Sequence, residues 1–411
     1  MSAPDTPVEH LHVRRHNLSL VLRLLANQGP RSRAGVAAVT GLTRATVSSL
    51  TAELIDLGLV RELGIDADHR RGRPATLLEL DGAHVVTLGV ELNVGYISIL
   101  ARDLGSRPVF QRHVVVDVDR YRDPSDLIGI LAAEMSDAIA AVEADGRRAS
   151  GITVAVPGVV DAERGVVRFA PNLGWRGVPL LAELQRSIGD AIELGLDNEA
   201  NLGVLAEYRA GALAGTPNLI YILAERGVGG GLMVDGKLLR GTSGAAGEMG
   251  HTTIQPVDGL PCGCGSKGCW ETLIGLPALL RRTLPATAGS LPSQHQLDLP
   301  EQVAAVVQAV EAGDEVARRG LDEFAHWVGL GIANLIDLFD PDAVILAGTL
   351  HDLAPLIMPA VRASAAANSL PDSLQHCRVE ASSLGFSAAA LGGAIHAAER
   401  LFVDPPLVAR A

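Results

Sequence analysis

His251, Cys262, Cys264 and Cys269 fall in one short run of the chain, and only Cys377 lies elsewhere. One imidazole and three thiolates make a closed tetrahedral shell for Zn²⁺, the donor set of a structural rather than a catalytic site. Gly263, Gly265 and Gly268 let the backbone turn tightly enough to bring the three sulfurs to one point. The competing readings are three buried thiols or a disulfide. Cys262 and Cys264 sit too close in sequence for easy closure, and the N-terminus lacks the charged-then-apolar pattern of a secreted chain. The expectation is therefore structural Zn²⁺ on His251, Cys262, Cys264 and Cys269.

A chain of 411 residues suggests two or three domains. Hydrophobic residues make up 48% but aromatics only 3%, so the cores must be aliphatic. The uncharged stretch 381–398 is mostly Ala, Ser and Gly and contains His396, and no Leu/Ile/Val/Phe run has membrane-spanning length. With few cysteines and a zinc motif, no membrane partner and a cytoplasmic setting are expected. The net charge of −13 looks wrong for a nucleic-acid binder until it is divided. Residues 1–80 hold ten Arg and eight Asp or Glu, whereas the remainder holds 24 basic and 39 acidic residues. The acidity belongs to the body, and the head is relatively basic.

The head, residues 14–80, reads as a winged helix-turn-helix. A helix over 17–27 has an apolar face at Leu18, Val21, Leu22, Leu24 and Leu25 and ends at Gly29-Pro30. Ser32 can cap a second helix, 33–39, with Val36, Ala37 and Val39 inward. Thr40-Gly41-Leu42 is the turn, with Gly41 suited to positive φ. Thr43 caps the next helix, 44–57, whose inner stripe is Val47, Leu50, Leu54 and Leu57. Arg44, Thr46, Ser48 and Ser49 lie at the exposed N-terminal end of this helix, the end that enters the major groove in helix-turn-helix proteins. Arg44 can read guanine. Residues 61–64 and 76–80 could pair as wing strands, and the loop between them carries Arg70, Arg71 and Arg73, suited to phosphate or the minor groove. The competing reading of the loop is a solvated surface, and of the helices a small bundle.

The body alternates strands and helices. Strands are expected at 85–91, 95–101, 152–156, 192–196, 218–224, 232–234, 237–239 and 343–346. Helices are expected at 126–143, 202–214, 300–311, 315–338 and 388–401. Asp197-Asn198-Glu199-Ala200-Asn201 stands at the carboxyl end of a strand, where ligands bind in such sheets. Gly227-Val228-Gly229-Gly230-Gly231 reads as a cleft-lining loop or a tight hairpin. Glu248 precedes His251 by three residues and shares a helical face with it, and Glu271 returns just after Cys269. A carboxylate accepts two hydrogen bonds from adjacent hydroxyls, as sugars require. The metal can thus clamp one loop and orient Glu248, His251 and Glu271 together. The alternative for both glutamates is a solvated surface.

Glu248-Met249-Gly250-His251, a short spacer, and Cys262-Gly263-Cys264-Gly265-Ser266-Lys267-Gly268-Cys269-Trp270-Glu271 together resemble the zinc motif of the ROK family. That family groups bacterial sugar-responsive repressors with sugar kinases. The resemblance extends, more weakly, from about residue 85 to the C-terminus. It implies a two-lobed actin-like (ribonuclease-H-like) α/β body behind the winged head. The boundaries would be 1–80 for the head, 81–200 plus about 388–411 for the small lobe, and 201–387 for the large lobe with the zinc site. The head is similar to that of ROK repressors, with Gly72-Arg73-Pro74 matching a recurring wing motif. The resemblance assigns sugar contact to Glu248, His251 and Glu271. Asn172, in Pro171-Asn172-Leu173-Gly174-Trp175, resembles the sugar-contacting loop, and Asn198 and Glu199 stand where kinases of the family hold Asn and their general base, Asp. Here that base position is Glu199, whose extra methylene displaces the carboxylate by more than about an ångström, and a misplacement of that size costs about 10²-fold in rate. Kinases also carry Asp-x-Gly-Gly-Thr where this chain has Glu91-Leu92-Asn93-Val94-Gly95. Both departures favour a non-catalytic, sugar-responsive repressor over an ATP-dependent sugar kinase with a DNA-binding head. A regulator answering to a protein partner instead of a sugar is a third reading. The implied partners are operator DNA, as an inverted repeat, a monosaccharide such as xylose or glucose, and a second or further copies in a homodimer or homotetramer.

Overall fold

The structure, a computed structural model, describes residues 7–65, 76–121, 123–285 and 299–405. The wing arginines Arg70, Arg71 and Arg73 lie outside the described residues.

The head is built from α1 (Pro7–Gln28), β1 (Arg31–Ser32), α2 (Arg33–Thr40), α3 (Arg44–Asp56), β2 (Val60–Ile65) and β3 (Thr76–Leu80). The starts of α2 and α3 each have a side-chain reason. Ser32 Oγ accepts from Gly35 N at 3.1 Å, and Thr43 Oγ1 accepts from Thr46 N at 3.1 Å, each satisfying one orphan N–H. Gly41 closes α2 with φ 73°, a conformation that costs a glycine nothing. Leu18, Val21, Leu22, Leu24 and Leu25 of α1 bury against Val36, Val47, Leu50 and Leu54. Val39 is not inward as the periodicity suggested; it is 52% exposed. It sits in the last turn of the short α2, just before Gly41 turns the chain away. β1 pairs with β3, making the wing sheet three-stranded, β1-β3-β2.

Two five-stranded sheets form the body. The first uses β4 (Val85–Leu92), β5 (Tyr96–Asp103), β6 (Pro108–Val115), β7 (Arg148–Val156) and β11 (Glu193–Asn198). Between β7 and β11 lie β8 (Val159–Asp161), β9 (Val166–Ala170) and β10 (Trp175–Val178), a separate antiparallel sheet. The second uses β12 (Leu219–Ala224), β13 (Val228–Val234), β14 (Lys237–Leu238), β15 (Ala343–Gly348) and β16 (Arg378–Ala381). Counting strands in chain order within each sheet, both have the spatial order 3-2-1-4-5, the first three antiparallel and the last two parallel to the first. The body is thus one topology used twice, the arrangement of the actin-like fold. β4 and β12 are buried on both faces, which is why they read as continuous apolar runs without alternation.

Helices α4 (Pro124–Ala144) and α5 (Leu180–Ile188) cover the first sheet. The second is covered by α8 (Leu276–Thr283), which follows the short α7 (Glu271–Ile274), together with α9 (Leu299–Glu311), α10 (Glu315–Phe339) and α11 (Thr349–Asn368). A single-turn α12 (Ser373–His376) precedes β16. Two helices lie at the junction of the sheets. One is α6, which spans Glu199–Ala210 rather than 202–214 because Asn198 caps it: Asn198 Oδ1 accepts from Ala200 N at 2.8 Å and Asn201 N at 3.2 Å. The other is α13 (Ala388–Val403). Ala388 packs with Tyr221, Leu223 and Ile345 of the second sheet, while Leu401 and Phe402 join the core of the head. One helix therefore touches both lobes and the DNA-reading module.

No local pattern was strong enough to place α5, α11, β16 or the β8–β10 sheet. α11 carries Pro355 and Pro359 inside it, residues that argue against a helix interior. The segment 227–231 is not a free loop. Gly229, Gly230 and Gly231 belong to β13, where small size is required: a Cβ on Gly230 would lie 2.1 Å from Met249 Cε, and one on Gly231 would lie 2.2 Å from Ala200 O.

Candidate functional site

A cavity of about 210 Å³ opens where the carboxyl ends of the two sheets meet. It is smaller than the ~300–1,000 Å³ typical of drug-sized ligands and suits a small polar molecule. Of the residues read from sequence, Asn172, Asn198, Glu199, Glu248, His251 and Glu271 all line it. They come from separate elements. Asn172 sits in a 3₁₀ turn, Pro171–Leu173, closed by Gly174 at φ 69°. Glu199 is the first residue of α6, and Glu271 opens α7. Glu248 immediately precedes the 3₁₀ turn Met249–His251.

The metal-binding set is assembled beside this cavity. The donor atoms of His251, Cys262, Cys264 and Cys269 all lie within 4.8 Å of one another. His251 Nδ1 is 3.5 Å from Cys262 Sγ, and Cys264 Sγ is 3.7 Å from Cys269 Sγ. Ligand atoms on a tetrahedral zinc, with bonds of about 2.3 Å to sulfur and 2.0–2.1 Å to nitrogen, lie about 3.5–3.8 Å apart, so the donor set fits that ion. The knuckle holding it is backed by the core. Trp270 is fully buried and donates Nε1 to Trp327 O at 2.9 Å, against Gly331 of α10, where a Cβ would come within 2.0 Å of the indole.

Metal loop and cavity share residues. His251 presents Nδ1 to the sulfurs and Nε2 to Glu248 Oε2, 3.7 Å away. Glu271 Oε1 accepts from Cys262 Sγ at 3.4 Å, and its Oε2 accepts from Val228 N at 3.1 Å. Gly227 leaves room for this: a Cβ there would stand 2.8 Å from Glu271 Oε2 and 3.1 Å from Asn172 Nδ2. Burial pushes the Glu248 carboxyl above its usual value, with Glu271 adding to the shift and His251 opposing it.

Asn198 has a structural task that the sequence reading did not foresee. Besides capping α6, its Nδ2 donates to Gly158 O at 2.9 Å. Asp197, one residue earlier, is buried and paired with Arg240 at 2.7 Å, so it faces away from ligand chemistry. Sequence reasoning also missed a buried acidic group in the cavity lining. Glu225 follows β12 directly and is only 7% exposed, and Asn93 reaches it from the β4–β5 turn across the gap between the sheets. The one available signal was an acidic residue at the carboxyl end of an all-apolar strand.

On the head, Arg44, Ser48 and Ser49 are exposed along α3. Thr46 is half-buried, and its hydroxyl lies 2.8 Å from that of Thr43, which ties it to the cap. Ser49 Oγ accepts from Arg14 Nη2 at 3.4 Å, and Arg14 also pairs with Glu53 at 2.5 Å, so α1 borders the same surface.

A winged head on a two-lobed body of repeated topology, with a cleft between the lobes and a His-Cys₃ knuckle at its edge, defines the class. A sequence model of the ROK family matches residues 88–400, and one of the MarR family matches residues 19–72. The chain belongs to the ROK family. It is 30% identical to the xylose repressor of Caldicellulosiruptor bescii over 386 residues, 93% of this chain and 95% of that protein. Its fold matches the crystal structure of a ROK family transcriptional regulator, a homologue of the Escherichia coli Mlc protein, with TM-score 0.80 at 25% identity over 97% of this chain and 99% of that one. It also matches a ROK family glucokinase from Streptomyces griseus, solved with glucose and AMPPNP, with TM-score 0.64 at 31% identity over 76% of this chain and 99% of that one. Among the described residues no helix is long and apolar enough to cross a membrane.

Proposed function

We propose that this protein is a sugar-responsive transcriptional repressor of carbohydrate-utilisation genes. The head holds an operator through Arg44, Thr46, Ser48 and Ser49, aided by the wing arginines Arg70, Arg71 and Arg73. The cleft takes a monosaccharide through Asn172, Asn198, Glu199, Glu248, His251 and Glu271. Zn²⁺ on His251, Cys262, Cys264 and Cys269 would act as a structural clamp that fixes His251 beside Glu248. A homodimer or homotetramer would place two heads on an inverted repeat.

The observation that carries this reading is α13. Its first residue packs with the second sheet, its middle lies on β4, and its end sits in the head's core. A sugar that favours one arrangement of the lobes therefore biases the position of the head, through its differential affinity for the two states. Coupling of about 1–3 kcal/mol corresponds to a roughly 5–150-fold change in operator affinity.

The kinase reading is weaker. Glu199 stands where kinases of the family hold Asp, and Glu91-Leu92-Asn93-Val94-Gly95 replaces their Asp-x-Gly-Gly-Thr phosphate loop. The test is a gel-shift titration on duplexes selected by the full-length protein from a random library, repeated with free hexoses and pentoses, alongside an ADP-release assay. A sugar-dependent change in DNA affinity without turnover supports the repressor. Phosphorylation of a sugar within seconds, or DNA affinity indifferent to every sugar, overturns it.

A further inference from the structure

The floor of the cleft is crowded with carboxylates around a single amide. Asn93 Nδ2 lies 2.9 Å from Glu225 Oε2, 3.3 Å from Glu199 Oε2 and 3.3 Å from Glu91 Oε1. Tyr96 Oη donates to Glu91 Oε1 at 2.8 Å. The amide has two hydrogens for three carboxyl groups, and Glu91 Oε2, buried with the rest of a residue only 2% exposed, has no partner. Burial pushes the Glu91 carboxyl up to about 7; burial and then Glu91 push Glu225 up to about 8. These groups come from β4, the β4–β5 turn, the end of β12 and the start of α6, so the cluster is a built part of the cleft.

Three backbone donors that could receive an anion here are already used. The first free N–H groups of α6, a natural anion site, go to Asn198 Oδ1. Val228 N, in the glycine-rich segment, goes to Glu271 Oε2. Arg226 is the single guanidinium among the lining residues, set against four glutamates.

We infer that this floor is an anion filter: the cleft accepts an uncharged polyol and rejects sugar phosphates and nucleotides, and Glu225 enforces the rejection. Above pH 8, where Glu91 and Glu225 are ionised, a phosphate ester would bring up to two further negative charges beside carboxylates that already repel one another. The inference deepens the monosaccharide reading and rests on it.

The experiment is isothermal titration at pH 8.5 of the full-length protein with glucose, xylose, glucose 6-phosphate, glucose 1-phosphate and inorganic phosphate, for the wild type and for Glu225→Gln. In the wild type a free sugar binds, while its phosphate ester binds at least tenfold more weakly and inorganic phosphate does not compete. In Glu225→Gln, with folding checked by circular dichroism, the ratio of ester to free-sugar affinity rises at least fivefold. An ester that binds the wild type as tightly as the free sugar overturns the filter and leaves the sugar site standing; this arm needs no variant. An unchanged ratio in folded Glu225→Gln removes Glu225 as its agent. A protein that binds none of these compounds overturns the sugar reading, and the filter with it.

Discussion

Gly89 of β4 and Ala390 of α13 touch backbone to backbone: a Cβ on Gly89 would lie 1.7 Å from the carbonyl oxygen of Ala390. A Cβ on Gly393, about one turn on in the same helix, would lie 2.9 Å from Gly89 Cα, and Thr87 Oγ1 donates to Ala394 O at 2.9 Å. At Gly89 the helix that joins the lobes to the head is therefore seated on the first sheet with no side chain between them. Gly89→Ala cannot be absorbed by a rotamer change, because the clash is with main chain. We expect it to destabilise the fold by about 1–3 kcal/mol and to weaken sugar control of DNA binding more than sugar binding itself. Urea denaturation and a gel shift with and without sugar read the two effects. Wild-type stability in the variant would mean that α13 is not packed this closely.

Removing one thiolate tests the metal knuckle. Cys264→Ser should lower bound zinc from about one per chain towards none, measured by elemental analysis, because a three-ligand remnant is an open site. His251 and Glu271 then lose their common anchor, so sugar-induced thermal stabilisation should disappear in the same sample. Full zinc content together with a full sugar response would remove Cys264 from the ligand set.

At the DNA-reading end, Arg44→Ala should weaken binding to a selected duplex by about 1–3 kcal/mol if the guanidinium reads a guanine. Specificity would relax at one base position. If Arg44 meets only phosphate, the loss should instead be uniform across sequences, with the salt slope reduced by about one. Equal affinity of variant and wild type would exclude Arg44 from the interface.

Local rules carried much of this structure. The caps at Ser32, Thr43 and Gly41 and the stripes of α1 and α3 follow from residue type and spacing alone, and the His-Cys₃ run announced its own geometry. What escaped was set by tertiary contact. The segment 227–231 read as a cleft-lining loop or a tight hairpin, and it is the β12–β13 hairpin, in which Gly230 and Gly231 are held to glycine by Met249 and Ala200, contacts that no local pattern shows. Asn198 read as a ligand residue; it lines the cavity and also caps α6, a second task that spacing did not announce. Asn93 and Glu225 are separated by more than a hundred residues, and only the meeting of the two sheets makes them partners.

That meeting has a consequence for stability. Glu91 and Glu225 have folded-state values of about 7 and about 8, above the ordinary 4.5 of a free glutamate. Between those limits the native chain holds protons that the unfolded chain has released, so stability falls as pH rises. His396 acts in the opposite sense: burial lowers it to about 4, so its cost appears only as pH falls below about 6.5. Tyr96, which faces the same cluster, is pushed further above 10 and stays protonated throughout. From pH 6.5 to 8.5 the carboxyls therefore dominate, and unfolding free energy should drop by on the order of 1–3 kcal/mol. Urea midpoints at four or five pH values measure it. Glu225→Gln, which keeps the shape and removes one titrating group, should flatten the curve. A wild-type stability that is level or rising across this range would mean that the carboxyls around Asn93 do not share protons in the folded chain.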